Sequence, residues 1–302
     1  MNSASSFFET LISVEQLARL QAGGQPLMVF DCSFDLAQPQ AGREQYLQAH
    51  IPGAVFADLE QNLSAKHGAP GAHGTVLSSS QAASGGRHPL PSREHFAAWL
   101  SSTGFDNGMQ AVVYDRNGAN YCARLWWMLQ WAGHAHVAVL DGGLQAWQAA
   151  GQPLAQGEES THFASNFELG QPLQQLVSAA QVLEDLGRPA QTVIDARAPA
   201  RYRGEVEPLD PVAGHIPGAL NRPFSENIAL DGRFKPAALL RAEFEQLLAE
   251  RAPASVVHQC GSGVSALPNL LAMRIAGLPA TRLFAGSWSE WCSDPKRPVE
   301  RG

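Results

Sequence analysis

The chain has 302 residues, 45% of them hydrophobic and 16% charged, with a net charge of -7 and a pI near 5.8. That length and apolar content support two domains with buried cores rather than disorder, and the acidic balance argues against a nucleic-acid partner, which would favour a basic face. The opening Met1 to Glu9 has neither a basic stretch nor a sustained apolar core, and no later run reaches the roughly 18 apolar residues of a membrane span, so a cytoplasmic protein with no membrane partner is expected.

In chain order, Val29-Phe30-Asp31 reads as a strand and is followed by His50-Ile51-Pro52-Gly53-Ala54. A Gly, Ala, Ser and His-rich insertion runs from Lys66 to Arg87, in which His67 and His73 read as loop residues rather than metal ligands. Helical patterns at Arg93 to Leu100 and Ala123 to Gln130 flank a strand, Val112-Val113-Tyr114-Asp115, and Asp141-Gly142-Gly143-Leu144-Gln145-Ala146-Trp147 closes the first half. Gly151 to Pro172 has no clear period. The second half then repeats the series: Val193-Ile194-Asp195, His215-Ile216-Pro217-Gly218-Ala219, a helix over Leu239 to Leu248, Val256-Val257-His258-Gln259, a helix over Leu270 to Ile275, and Ala285-Gly286-Ser287-Trp288-Ser289-Glu290-Trp291. Strands alternating with helices imply parallel sheets covered on both faces. The expected organisation is therefore one α/β domain over 1–152, a linker over 153–172 and a second α/β domain over 173–302, with a cleft between them as the natural place for a small molecule.

Four cysteines are scattered with no Cys-x-x-Cys pair, so neither a zinc site nor a disulfide framework is indicated, and no metal or cofactor is expected. Cys32, Cys122 and Cys292 lie in apolar surroundings and read as packing residues. Cys260 differs, because a buried strand delivers it into Gly261-Ser262-Gly263-Val264-Ser265, and Ala266 to Met273 then reads as a helix with Pro268 in its first turn. Gly261 and Gly263 let the backbone curl so that several N–H groups point at the Cys260 sulfur. Hydrogen bonds to a charged group contribute roughly 1.5 to 3 kcal/mol each, against about 0.3 to 1 for a helix dipole. The backbone of Gly261, Gly263, Val264 and Ser265 is therefore expected to hold the anionic sulfur and its substrate.

Overlaying the two halves puts Cys260 on Arg116, so only the second half is expected to carry thiol chemistry, with Cys260 as nucleophile. A cysteine phosphatase would need an arginine six positions after the cysteine, where Ala266 stands, and the loop lacks the Gly-x-Gly-x-x-Gly or Gly-Lys-Ser/Thr of a nucleotide site. A non-catalytic binding scaffold is the alternative of another class, and the retained Cys260 speaks against it.

The two His-Ile-Pro-Gly-Ala segments, the Cys-Gly-Ser-Gly-Val-Ser loop and the closing Gly-Ser-Trp-Ser-Glu-Trp together resemble the tandem-rhodanese sulfurtransferases, the family of 3-mercaptopyruvate and thiosulfate sulfurtransferases, over nearly the whole chain. The resemblance implies two rhodanese-like domains, each a parallel five-stranded sheet flanked by helices, the first non-catalytic and the second catalytic. It also implies a persulfide on Cys260, a small-molecule sulfur donor, and cyanide or a thiol, such as a thioredoxin-like protein, as acceptor. By the family pattern the arginine that binds the donor's anionic group maps to Arg201 in Asp195-Ala196-Arg197-Ala198-Pro199-Ala200-Arg201-Tyr202, leaving Arg197 to support Asp195 and Arg203 in solvent.

Neutral Gly261 and Ser262 resemble the mercaptopyruvate type, in which Ser262 works with a histidine, here His88 in Arg87-His88-Pro89-Leu90-Pro91, and an acid, Glu60 or else Asp58, in moving a proton. The expected donor is thus 3-mercaptopyruvate, with thiosulfate as the alternative. Two departures stand out: Leu209 follows Glu207-Pro208 where a second substrate arginine is usual, with Arg222 the candidate replacement, and the Lys66 to Arg87 insertion is long.

Overall fold

The computed structural model describes residues 7–65, 82–160 and 163–302; His67, His73, the first six residues and most of the Lys66 to Arg87 insertion lie outside them. The chain divides into two compact units, Met1–Asn62 with Arg93–Leu173 and Asp231–Arg233, and Leu63–Ser92 with Gln174–Leu230 and Phe234–Gly302, in their described parts. Leu63–Ser92 thus belongs to the second unit although it interrupts the first in sequence.

In the first unit the elements run β1 (Leu11–Ile12), α1 (Val14–Gly23), β2 (Leu27–Asp31), α2 (Ala41–Gln48), β3 (Val55–Phe56), α3 (Arg93–Ser102), β4 (Gln110–Tyr114), α4 (Cys122–Trp131), β5 (Val137–Leu140) and α5 (Gly143–Ala149). In the second they run β6 (Gln175–Leu176), α6 (Ala179–Glu184), β7 (Thr192–Asp195), α7 (Pro199–Tyr202), β8 (Leu220–Asn221), α8 (Ala237–Leu248), β9 (Val256–Gln259), α9 (Leu267–Ile275), β10 (Arg282–Leu283) and α10 (Ser287–Trp291). Each unit is a five-stranded, all-parallel sheet, ordered β1-β5-β4-β2-β3 and β6-β10-β9-β7-β8, so the two have one topology.

The central strands β4 and β9 are buried throughout, as parallel strands covered on both faces must be. The first helix of each unit opens on the same capping box, Ser13 with Gln16 and Ser178 with Gln181, which satisfies otherwise orphaned N–H groups at that end. One core gathers Val112, Tyr114, Leu144 and Trp147, the other Val257, Phe284, Trp288 and Trp291. No helix among the described residues is long and apolar enough to cross a membrane.

Both His-Ile-Pro-Gly-Ala segments are structural fasteners. His50 stacks on Tyr46 at 4.1 Å and His215 on Tyr202 at 3.9 Å, and in each case Nδ1 meets the tyrosine's own carbonyl at 2.8 Å. The phenols bond the Ala54 and Ala219 carbonyls, while Glu159 and Glu300 accept from Gly53 and Gly218 N–H. Both glycines have φ above +70°, which explains why glycine stands there.

The ladders correct the overlay of the two halves. Asp31 pairs with Tyr114 and Asp195 with Gln259, so Tyr114 corresponds to Gln259 and the next residue, Asp115, to Cys260. The following contact agrees: Asp115 O accepts from Leu144 N as Cys260 O accepts from Trp288 N. The counterpart of Cys260 is Asp115, not Arg116; Arg116 corresponds to Gly261. Adjacent valines in a fully buried strand fit either register, and only hydrogen bonding to distant strands decides between them.

Candidate active site

Cys260 leaves the carboxyl end of β9, 2% exposed, and the chain curls through Gly261 to Ala266 into α9. The curl is held from outside. Cys260 and Gly261 carbonyls accept from Trp288 N (3.0 Å) and Ser289 N (2.9 Å) at the start of α10, and across a trans peptide this turns the Gly261 and Ser262 N–H groups the opposite way. Cys260 N–H donates to Ser287 Oγ (3.1 Å), whose own hydroxyl donates to Phe284 O. Ser287 adopts φ +54°, a costly conformation for a residue with a Cβ, where the first unit uses Gly143 at φ +58°. Gly263, at φ +76°, passes so close to Ala285 that a Cβ would lie 2.1 Å from its carbonyl oxygen.

The first unit shows where such a loop aims its donors. Asp115 Oδ1 accepts from Asn117 N (2.8 Å) and Ala119 N (3.0 Å), and Oδ2 from Tyr121 N (2.8 Å) and Cys122 N (3.0 Å). Counted from Cys260, the first three positions are Ser262, Val264 and Ala266. Val264 is among the loop residues expected from the sequence, and the equivalence of the two loops adds the backbone N–H groups of Ser262 and Ala266 as candidates to face the Cys260 sulfur. Burial pushes the thiols of Cys32 and Cys122 far up, and it also raises that of Cys292.

Residues 82–92, part of the second unit, bring His88 to the loop. His88 is 2% exposed and its Nδ1 lies 2.8 Å from Ser262 Oγ. Arg87 N donates to Ser289 Oγ (3.0 Å), and Gly86 (φ +87°) packs so tightly that a Cβ would sit 2.4 Å from Gly286 O. Glu60 and Asp58 belong to the first unit, where Asp58 Oδ1 accepts from Glu60 N and Gln61 N and so caps their turn. Of the expected relay, the serine and histidine meet within the second unit.

The arginines divide by their partners. Arg197 is buried, bonds Asp195 through three contacts and Gly214 O through a fourth, and lies over the Trp288 ring at 4.8 Å. Burial would pull its pKa down, yet the Asp195 charge and hydrogen bonds outweigh this and raise it. Arg203 is tied to Glu205 on the surface. Arg222 is buried, bonded to Asn227 and Glu243 and stacked on Phe244 at 4.3 Å, which makes it a packing residue. Arg201 holds both oxygens of Glu207 (2.7 and 2.9 Å). Burial raises Glu207, but the Arg201 bond and the Leu209 N–H prevail and hold it below the usual carboxylate range. Leu209 itself is exposed. A Cβ on Gly261 would lie 3.3 Å from Arg201 Nη1 and equally 3.3 Å from Arg87 Nη2, so a second guanidinium, absent from the sequence expectation, stands beside the loop. Its one sequence signal was adjacency to His88.

Two residues before the cysteine, His258 is fully buried with neither ring nitrogen hydrogen-bonded among the described residues, and desolvation depresses it to about 3.

A family model described as the rhodanese-like domain matches residues 13–150 and again 178–294. The chain is 46% identical over 294 residues to a Pseudomonas aeruginosa protein named "Probable 3-mercaptopyruvate sulfurtransferase", covering 97% of this chain and 98% of that one. It is 32% identical over 305 residues to the thiosulfate sulfurtransferase of Mus musculus, covering 98% and 96%. Among solved structures, SseA from Escherichia coli, described with the rhodanese fold and the 3-mercaptopyruvate sulfotransferases, superposes with a TM-score of 0.76 at 30% identity over 93% of this chain and 100% of that one.

Proposed function

The chain belongs to the rhodanese family and is a sulfurtransferase, and from that premise we propose that it carries sulfur on Cys260, taking it from 3-mercaptopyruvate and passing it to a thiol or cyanide. The observation that carries the donor choice is the 2.8 Å contact between His88 Nδ1 and Ser262 Oγ, two residues from the nucleophile. The Cys260 thiolate attacks the donor's thiol sulfur; the new S–S bond forms as the S–C bond breaks, and the electron pair leaves on carbon as the enolate of pyruvate. That carbon needs a proton. Thiosulfate would leave sulfite, which needs none, so a buried serine–histidine pair has work to do only with the first donor. The loop N–H groups hold the thiolate and then the persulfide anion, and Arg201 holds the donor's carboxylate. An acceptor nucleophile, a small thiol or a thioredoxin-like protein, then attacks the outer sulfur and returns Cys260 as thiolate.

A second reading, thiosulfate as donor, draws on the two guanidiniums beside Gly261, which also suit a dianion. The deciding experiment measures kcat/KM for both donors in the wild type and in His88→Ala, with mass spectrometry of the donor-treated protein. Expected are about 32 Da added on Cys260 and a loss of roughly 100-fold with 3-mercaptopyruvate alone. Sulfur on another cysteine sinks the Cys260 assignment; faster thiosulfate turnover that is indifferent to His88→Ala replaces the donor.

A further inference from the structure

Two guanidiniums approach Gly261, and they are not equally committed. Arg201 donates to both oxygens of Glu207, a carboxylate whose side chain is 3% exposed. Arg87 has a looser hold: Nη1 bonds Asp210 Oδ1, while Nη2 is the nitrogen facing Gly261. Its backbone is fixed, because Gly86 is wedged against Gly286 and Arg87 N–H is anchored on Ser289 Oγ. Between the two arginines lies a single carboxylate, that of Asp210, whose Oδ1 meets Arg87 and whose Oδ2 meets Arg201 Nη2 at 3.4 Å. The gap is therefore one that a carboxylate bridges, one oxygen to each arm, next to the residue that follows the nucleophile.

We propose that Arg87 and Arg201 form a two-armed clamp for the carboxylate of the sulfur donor, with Arg87 the arm that determines affinity and Asp210 the resident carboxylate that the donor displaces. This deepens the reading of Cys260 and 3-mercaptopyruvate and rests on it. Displacement is feasible because the carboxylates differ: Glu207 stays fully engaged by Arg201 and its turn N–H groups, whereas burial pushes Asp210 upward against the pull of Arg87, marking it as the less well stabilised anion. Arg87 comes from a segment docked on the catalytic loop rather than from the loop itself. A charge that a Gly261-Ser262 loop lacks is thus supplied from the side, where it meets a carboxylate held away from the reacting sulfur.

The test compares the wild type, Arg87→Met and Arg87→Lys with two donors, 3-mercaptopyruvate and mercaptoacetone, which keeps the reacting thiol and ketone but has no carboxylate. Calorimetric binding of pyruvate, a non-reacting carboxylate probe, is measured on each protein. Arg87→Met should raise KM for 3-mercaptopyruvate and weaken pyruvate about 10- to 100-fold, the loss of one charge-assisted hydrogen bond. Its kcat should change less and its mercaptoacetone kinetics hardly at all; Arg87→Lys should fall between and covers the case in which the methionine variant does not fold. A parallel loss with both donors, or equal pyruvate binding in the wild type and Arg87→Met, overturns the clamp. Failure of the wild type to take sulfur from 3-mercaptopyruvate would instead sink the donor reading, and the pyruvate titration would still judge Arg87.

Discussion

The loop after β4 and the loop after β9 are built alike and filled differently. In the first, the side chain that begins the loop is Asp115, and its carboxylate takes four backbone N–H groups. Arg116 beside it reaches the buried Asp31, with further bonds to Ser33 and the Ala49 carbonyl. In the second, Cys260 stands in place of Asp115 and Gly261 in place of Arg116, and the task of neutralising Asp195 passes to Arg197, which arrives from the end of β7. The comparison teaches that one loop path can be given two different occupants at its first position. One half supplies a fixed carboxylate and closes over it; the other keeps a polarisable sulfur and leaves the adjoining position without a side chain.

The largest expected effect comes from making the second loop like the first. Cys260→Asp should abolish sulfur transfer with both donors while the protein still folds, since the loop donors accept a carboxylate as they do at Asp115. Unfolding of this variant under conditions where Cys260→Ser is folded would mean that the two loops are not equivalent. The reverse break is Asp115→Ala, which leaves four buried donors without their acceptor and should cost roughly 3 to 5 kcal/mol. Thermal unfolding would register this as a fall on the order of 10 °C; a shift of a degree or two would show that water replaces the carboxylate.

Arg201→Ala should lower kcat/KM with 3-mercaptopyruvate by roughly 2 to 4 kcal/mol of transition-state stabilisation. It should also cost about 1 kcal/mol of stability, because buried Glu207 loses its main partner. Stability lost with kcat/KM unchanged would reduce Arg201 to a support for Glu207.

The smallest effect concerns His258, which the ladders align with Val113. Held at about 3 when folded, against an ordinary value near 6.5, this histidine is neutral in the native state and takes up a proton only on unfolding. Its contribution is therefore intact above about pH 6.5 and is lost as pH falls from there toward 3, about 2 kcal/mol at pH 5. His258→Val should remove that loss, narrowing the difference in denaturant stability between pH 7 and pH 5 by a similar amount. An unchanged difference would show that His258 is protonated in the folded protein.

What could be read from the sequence was what local pattern determines: strand and helix alternation, the duplication, and a cysteine followed by glycines at the start of a helix. The overlay slipped by one residue because Val112-Val113 and Val256-Val257 are equivalent to any short-range criterion. The hydrogen bonds that set the register run to Asp31 and Asp195, far back in the chain. Arg87 escaped for the same reason: its partner Asp210 lies 123 residues away, and nothing in Arg-His-Pro-Leu-Pro distinguishes an arginine beside the loop from one in solvent. The histidine could be named from the family's pattern, but its grouping with the second sheet through Leu63–Ser92 could not, since that segment sits in the middle of the first half.

That grouping also has a meaning in time. Ser262 follows His88 by 174 residues, which at a synthesis rate of about 5 to 20 residues per second is an interval on the order of 10 to 30 s on the ribosome. The histidine is made long before the serine and waits with the segment that carries it. A second half expressed alone from residue 173 would have Cys260 and its loop yet be born without His88 and Arg87. A cut at 173 therefore divides the second compact unit itself, since Leu63–Ser92 would stay with the other piece.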